Sequence, residues 1–174
     1  MNIPLAQPDI TDLEKRYVLD VLSTPNLSLG PKVAEFEEAL ADRAGVKHAV
    51  AVNSGTSALH LIVQALGIGP GDEVITTPFS FVASSNCILF EKAKPVFVDI
   101  DPMTLNIDPS QVENAITART KAILGVDVFG QPADWDALRR VAVQHDLLLI
   151  EDSAEAIGAE YKGRRAGGLG DAGI

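Results

Sequence analysis

Short apolar runs alternate with helical stretches along most of this chain, and that alternation constrains the fold more than any other feature. Ala49-Val50-Ala51-Val52, Glu73-Val74-Ile75-Thr76, Pro95-Val96-Phe97-Val98, Lys121-Ala122-Ile123-Leu124 and Leu147-Leu148-Leu149-Ile150 each read as a strand. Between them, residues 59–66 are amphipathic at helical spacing, and 79–90 and 134–144 read as further helices. Asp108-Pro109 is a helix start, a cap residue followed by Pro at the first helical position. Strands apolar on both faces and separated by helices indicate an α/β fold, a mostly parallel sheet with helices on both faces. Ligands of such sheets bind outside the carboxyl ends of the strands, so the residues that follow each strand carry the functional question.

Two helices precede this pattern. Residues 11–22 place Leu13, Tyr17 and Val21 on one side, and Gly30-Pro31 opens a second helix with Val33, Phe36, Leu40 and Ala44 along one face. Gly45 stands where a helix C-terminus favours glycine. Residues 1–45 are therefore expected to form an N-terminal helical arm, and 46–174 the sheet-bearing domain. Near the end of the chain, Lys162-Gly163 reads as a hairpin turn.

A chain of 174 residues has room for one hydrophobic core, and 47% hydrophobic residues mark it as globular. The net charge of -10 repels nucleic acid and anionic membranes, so neither is expected as a partner. A small phosphorylated ligand is not excluded, because its binding depends on local donors. Polar residues interrupt every apolar run before bilayer length, and Pro4, Pro8 and Asp9 occupy the place of a secretory signal. The lone Cys87, read as a small buried apolar residue, fits a reducing compartment. The expectation is a soluble cytoplasmic protein, with no metal ligands assigned.

Two strand ends carry chemistry. The first is Asn53-Ser54-Gly55-Thr56-Ser57-Ala58-Leu59, a polar turn between a strand and a helix. The N–H groups of a helix's first turn lack partners and carry the positive end of its dipole, which suits a phosphate. Simple capping of the helix by Ser54 or Thr56 accounts for the same residues equally well. The second is Glu151-Asp152-Ser153-Ala154-Glu155, directly after the apolar strand of residues 147–150. A carboxylate there is costly to desolvate without a hydrogen bond or an opposite charge. A Mg²⁺-nucleotide would require a G-x-x-x-x-G-K-[ST] loop, and a dinucleotide a G-x-G-x-x-G between strand and helix; neither is present. A protonated heterocyclic nitrogen is the third partner. A ligand with a phosphate for the Ser54 turn and a pyridinium for Asp152 has the shape of pyridoxal 5′-phosphate (PLP). Phe79 or Phe81, after the next strand, could offer an apolar face to its ring, although core packing is the ordinary fate of either.

Several segments resemble the DegT/StrS-type sugar aminotransferases, fold-type I PLP enzymes. They are the Ser54 turn, Gly69-Pro70-Gly71-Asp72-Glu73-Val74-Ile75, Ala93-Lys94-Pro95-Val96-Phe97-Val98-Asp99, Phe129-Gly130-Gln131-Pro132-Ala133-Asp134, and Glu151-Asp152-Ser153-Ala154-Glu155-Ala156. The resemblance runs from Ile3 to Asp171. It implies that 46–174 is part of the PLP-binding large domain, with Gly55, Thr56 and Ser57 at the cofactor phosphate, Phe81 stacked on the ring and Asp152 against the ring nitrogen. Glu155 would face the ring hydroxyl, where many members carry Gln or His, and Asp127 stands where His is frequent. The family's Schiff-base lysine belongs to a motif beyond Gly170-Asp171. Lys15, Lys32, Lys47, Lys92, Lys94, Lys121 and Lys162 do not match it and read as surface residues. A member would be roughly twice this length, with a smaller C-terminal domain.

The resemblance therefore implies an N-terminal portion of an enzyme that moves an amino group from an amino acid, glutamate first among candidates, to a nucleotide-linked keto-sugar. Members are usually homodimers, and residues 25–31 are a candidate shared edge. A separate chain could carry the C-terminal half. The alternative is a cofactor-binding or regulatory fragment that catalyses nothing.

Overall fold

The computed structural model describes residues 3–4 and 7–174. Seven strands and six α-helices follow one another as α1 (Asp12–Leu22), α2 (Pro31–Ala44), α3 (Gly55–Ala65), β1 (Glu73–Thr76), α4 (Ala83–Phe90), β2 (Lys94–Phe97), α5 (Pro109–Ala115), β3 (Thr120–Val126), a short 3-10 turn (Val128–Gly130), α6 (Trp135–Gln144), β4 (Leu148–Asp152), β5 (Glu160–Tyr161), β6 (Arg164–Arg165) and β7 (Ala172–Gly173). The main sheet has the order β2-β1-β3-β4-β7, and every pairing in it is parallel. The expected α/β architecture is the observed one.

Strand alternation divides the core between the two faces. Val74, Ala122, Leu124, Val126 and Ile150 pack with Leu59, Val63, Cys87 and Ile88 of α3 and α4. Ile75, Ile123 and Leu149 pack on the other face with Val112 of α5 and with Trp135, Leu138 and Ala142 of α6. Helices cover both faces, which is why residues 122–126 of β3 and 148–150 of β4 carry no polar side chain. Glu73 anchors the sheet's amino end, accepting from the Thr117 hydroxyl at 2.6 Å, Arg119 at 2.7 Å and Lys94 at 3.2 Å. Those donors hold its carboxyl down at about 2, the Thr117 hydroxyl contributing most and Arg119 next.

The helix signals hold at residue level. Thr11 and Glu14 form a capping box on α1, and Asp108 and Asp134 accept from Ser110 and Ala137 N–H at the starts of α5 and α6. Lys162 and Gly163, both at positive φ (51° and 79°), turn the β5–β6 hairpin.

Two expectations need correction. Among the described residues, 49–52 pair with no strand, and their one backbone hydrogen bond is from Ala51 N–H to the Glu37 carboxylate, at 2.8 Å. Val50 is 75% exposed, and a cleft of about 860 Å³ lies between this segment and the edge strand β7. β propensity alone does not make a strand, because the ladder needs a neighbour. Secondly, α4 begins at Ala83 rather than near Phe79, since Phe79 N–H donates to the Thr77 hydroxyl in a turn that delays the helix.

The first two helices differ in how they meet the rest of the structure. Ala41 of α2 is buried and Arg165 donates to the Arg43 carbonyl at 3.0 Å, whereas α1 buries none of its residues.

Candidate functional site

The Ser54 turn serves as a cap and still leaves donors free. Ser54 Oγ accepts Ser57 N–H at 3.1 Å and donates its own proton to Ser57 Oγ at 3.0 Å. Ala58 N–H goes to the Ser54 carbonyl. Gly55 and Thr56 N–H have no acceptor among the described residues, so capping leaves two donors at this helix start. Ser57 has its N–H committed to the cap and offers only its hydroxyl. A Cβ at Gly55 would lie 3.3 Å from Ile174 Cδ1, and Ser153 N–H donates to the Ile174 carbonyl at 3.0 Å. These contacts set the turn beside the carboxyl end of β4, as the parallel topology requires.

Asp152 closes β4 on the face that α3 and α4 cover. It is 6% exposed and makes no ion pair, although nine such pairs occur among the described residues. Its Oδ2 accepts from Ser84 Oγ at 2.7 Å and its Oδ1 from Ala154 N–H at 3.3 Å. Burial, and then the negative charge of Asp152, push the thiol of Cys87 up to about 12, so Cys87 is inert packing. A buried carboxylate lacking a cation is a receptor for a positively charged or N–H-bearing group.

Glu151, one residue earlier, points to the opposite face. Fully buried, it accepts from Ser153 Oγ (2.7 Å) and from the N–H groups of Gly167 (2.6 Å), Leu169 (2.6 Å) and Gly170 (3.1 Å). A Cβ at Gly170 would sit 2.7 Å from the Leu149 carbonyl, so only glycine lets this loop press so closely onto β4. Asp127 lies alongside, accepting from Ala133 N–H (2.9 Å), Trp135 Nε1 (2.8 Å) and Ser153 Oγ (2.9 Å). Burial, with the Glu151 charge adding, raises its carboxyl to about 6 despite those donors. The Ser153 hydroxyl has one proton for these two acids, so it donates to one of them at a time. The sequence marked Asp127 only as a departure from His; its structural role follows from these bonds.

Exposed aromatic side chains border the same sheet edge. Phe81 is 75% exposed between β1 and α4, and Phe129 (φ 53°) meets Phe79 edge to face at 6.2 Å. Glu155 is exposed and accepts Phe129 N–H at 2.9 Å. All seven lysines lie on the surface, and none contacts Asp152. Ser84 escaped the sequence reading, because a serine near a helix start looks like routine capping; only the tertiary contact with Asp152, 68 positions away, distinguishes it.

Residues 8–174 match the model of the DegT/DnrJ/EryC1/StrS aminotransferase family. The chain belongs to that family. It is 49% identical over 171 residues to GDP-perosamine synthase of Caulobacter vibrioides, covering 98% of this chain and 46% of that protein. It is 50% identical over 160 residues to UDP-2-acetamido-2-deoxy-3-oxo-D-glucuronate aminotransferase of Pseudomonas aeruginosa, covering 92% and 45%. An aminotransferase structure from Psychrobacter cryohalolentis superposes with a TM-score of 0.93 at 41% identity, over 98% of this chain and 44% of that one. DesI, solved with its TDP-sugar product, superposes at 0.86 and 42%, over 95% and 42%. This aminotransferase-family chain thus spans a little under half the length of the relatives it matches. No helix among its described residues is long and apolar enough to cross a membrane.

Proposed function

We propose that the complete protein is a PLP-dependent aminotransferase that moves an amino group from an amino acid, glutamate being our candidate, to a nucleotide-linked keto-sugar. The observation that carries this reading is Asp152, a buried carboxylate without a cation at the carboxyl edge of a parallel sheet, next to a helix start with free N–H groups. That donor and acceptor set suits a ligand with a phosphate at one end and a protonated pyridine nitrogen at the other. When bound, PLP supplies an electron sink for the bond changes at the substrate's α-carbon.

Each residue has a defined task in this reading. Gly55 and Thr56 bind the phosphate through their N–H groups, with the Thr56 and Ser57 hydroxyls beside them. Phe81 covers one face of the ring. Asp152 keeps the ring nitrogen protonated. Glu155 faces the ring hydroxyl, and the Phe129 N–H it accepts draws off part of its negative charge. The proton-shuttling amine comes from polypeptide outside these 174 residues, since every lysine here is on the surface.

We also infer that residues 46–174 are part of a larger domain. Residues 49–52 and β7 face each other across the cleft, and strand edges left bare invite pairing. A strand from the remaining polypeptide fills the gap, in the same chain or a separate one. In the complete protein, hydrogen exchange at Val50 and Val52, on the edge opposite the Ala51 N–H held by Glu37, is then slow; exchange at the rate of an open loop removes this inference. The exposed apolar residues of α1, with Leu13, Tyr17 and Leu22 at 44–62%, support a homodimer in which the 1–45 arm packs on the partner. A cytoplasmic site of action agrees with the single, buried, unpaired cysteine.

The test is direct. The complete protein mixed with PLP develops the visible absorbance of a bound cofactor, and its absence overturns the enzyme reading in favour of a regulatory fragment. Thr56→Val weakens cofactor retention about tenfold, as expected for losing a hydroxyl bonded to a charged phosphate, and slows turnover little at saturating PLP. Unchanged affinity reduces the Ser54 turn to a cap.

A further inference from the structure

We propose that Ser84 is a positioning residue, whose hydroxyl fixes the direction of the Asp152 carboxylate and ties it to the segment carrying Phe81. This rests on the assignment of Asp152 to the cofactor's ring nitrogen. Rotation of an aspartate carboxylate about its last torsion is soft, so burial alone does not set its plane. Hydrogen bonds do. Oδ1 receives only the long contact from Ala154 N–H at 3.3 Å, whereas Oδ2 receives Ser84 Oγ at 2.7 Å. Ser84 is 1% exposed, so water does not replace that bond.

The direction of the chain follows from proton counting. An ionised carboxylate only accepts, so Ser84 spends its single proton on Asp152. Ser80 Oγ, 2.7 Å from Ser84 Oγ, must then be the donor in that pair. The order is Ser80 to Ser84 to Asp152. Ser84 N–H in turn donates to the carbonyl of Phe81 at 3.2 Å. One serine therefore joins the residue under the ring nitrogen to the backbone that presents the stacking aromatic. Displacing either would misplace the ring relative to the other.

Ser84→Ala, Ser84→Thr and Ser80→Ala in the complete protein test this. Ser84→Ala is expected to lower kcat roughly tenfold, the scale of one hydrogen bond to a charged group, with KM for the amino donor within about twofold. The pH titration of the bound cofactor's absorbance should move with it. Ser84→Thr keeps the hydroxyl and restores both, and Ser80→Ala gives a smaller change of the same kind. Crystal structures of the cofactor-free proteins supply an independent reading, with one carboxylate orientation in the parent and a rotated or split Asp152 in Ser84→Ala. A parent-like orientation and titration in Ser84→Ala overturn the proposal, as does a threonine variant that behaves like alanine. If the parent binds no PLP, the functional reading fails by itself, and the Asp152 orientation still decides whether Ser84 sets it.

Discussion

Asp152→Asn in the complete protein lowers the transamination rate on the order of a hundredfold or more and leaves the protein as stable as before, or more stable. The two halves of this expectation have one cause. Asp152 is 6% exposed and has no cationic partner, so in the protein without cofactor its negative charge is buried at a cost. Asparagine has the same shape, accepts the Ser84 hydroxyl through its amide oxygen and removes that charge, losing only the long 3.3 Å bond from Ala154 N–H, which then faces the NH₂. Stability therefore holds or rises, as seen in the urea midpoint of the cofactor-free protein. Function moves the other way, because a neutral amide no longer holds the proton on the ring nitrogen, and fixed charge of this kind is worth orders of magnitude in rate. A residue retained against its effect on stability is the signature of a functional site. Near-normal turnover in the variant would remove the ring-nitrogen assignment, and a large loss of stability would mean that Asp152 is a structural acid.

Glu151→Ala has the opposite profile. Its carboxylate accepts three backbone N–H groups of the 167–170 loop and the Ser153 hydroxyl. Truncation strands those donors around the space left by a fully buried carboxylate. With each stranded donor costing about 1–3 kcal/mol and partial relaxation allowed, the expected loss is about 3–5 kcal/mol. Glu151→Gln recovers only part of it, since one carboxylate oxygen becomes an NH₂ that confronts donors. Denaturant unfolding of the complete protein measures both. A loss below about 1 kcal/mol would mean that the loop is held by something other than Glu151. Any fall in cofactor binding in Glu151→Gln should be secondary, following from movement of Ser153 and Ile174 rather than from a lost contact.

These neighbouring acids show how far the sequence could be read. Two carboxylates after an apolar strand mark the end of β4 as chemically active, and the period of two places them on opposite faces. Which face holds the ligand is not a property of those residues. α3 and α4 lie on the Asp152 side, and the donors of residues 167–170 lie on the Glu151 side. Asp127 is a similar case. In the sequence it only replaces a frequent His, yet Trp135 and Ser153 make it part of the support under the site.

By itself the sequence determined the alternation that builds a parallel sheet, the helix start at Asp108-Pro109, and the strand ends where polar groups gather. Those depend on contacts within a few residues, so local order carries them. Tertiary structure alone decided that residues 49–52 have no strand partner among the described residues, that the Ser54 turn keeps two N–H groups free after capping itself, and that Ser84 reaches Asp152. Each of those depends on what lies opposite a segment in space. A strand is defined by its neighbour, and a buried charge by the donors around it, and neither is written at the position itself.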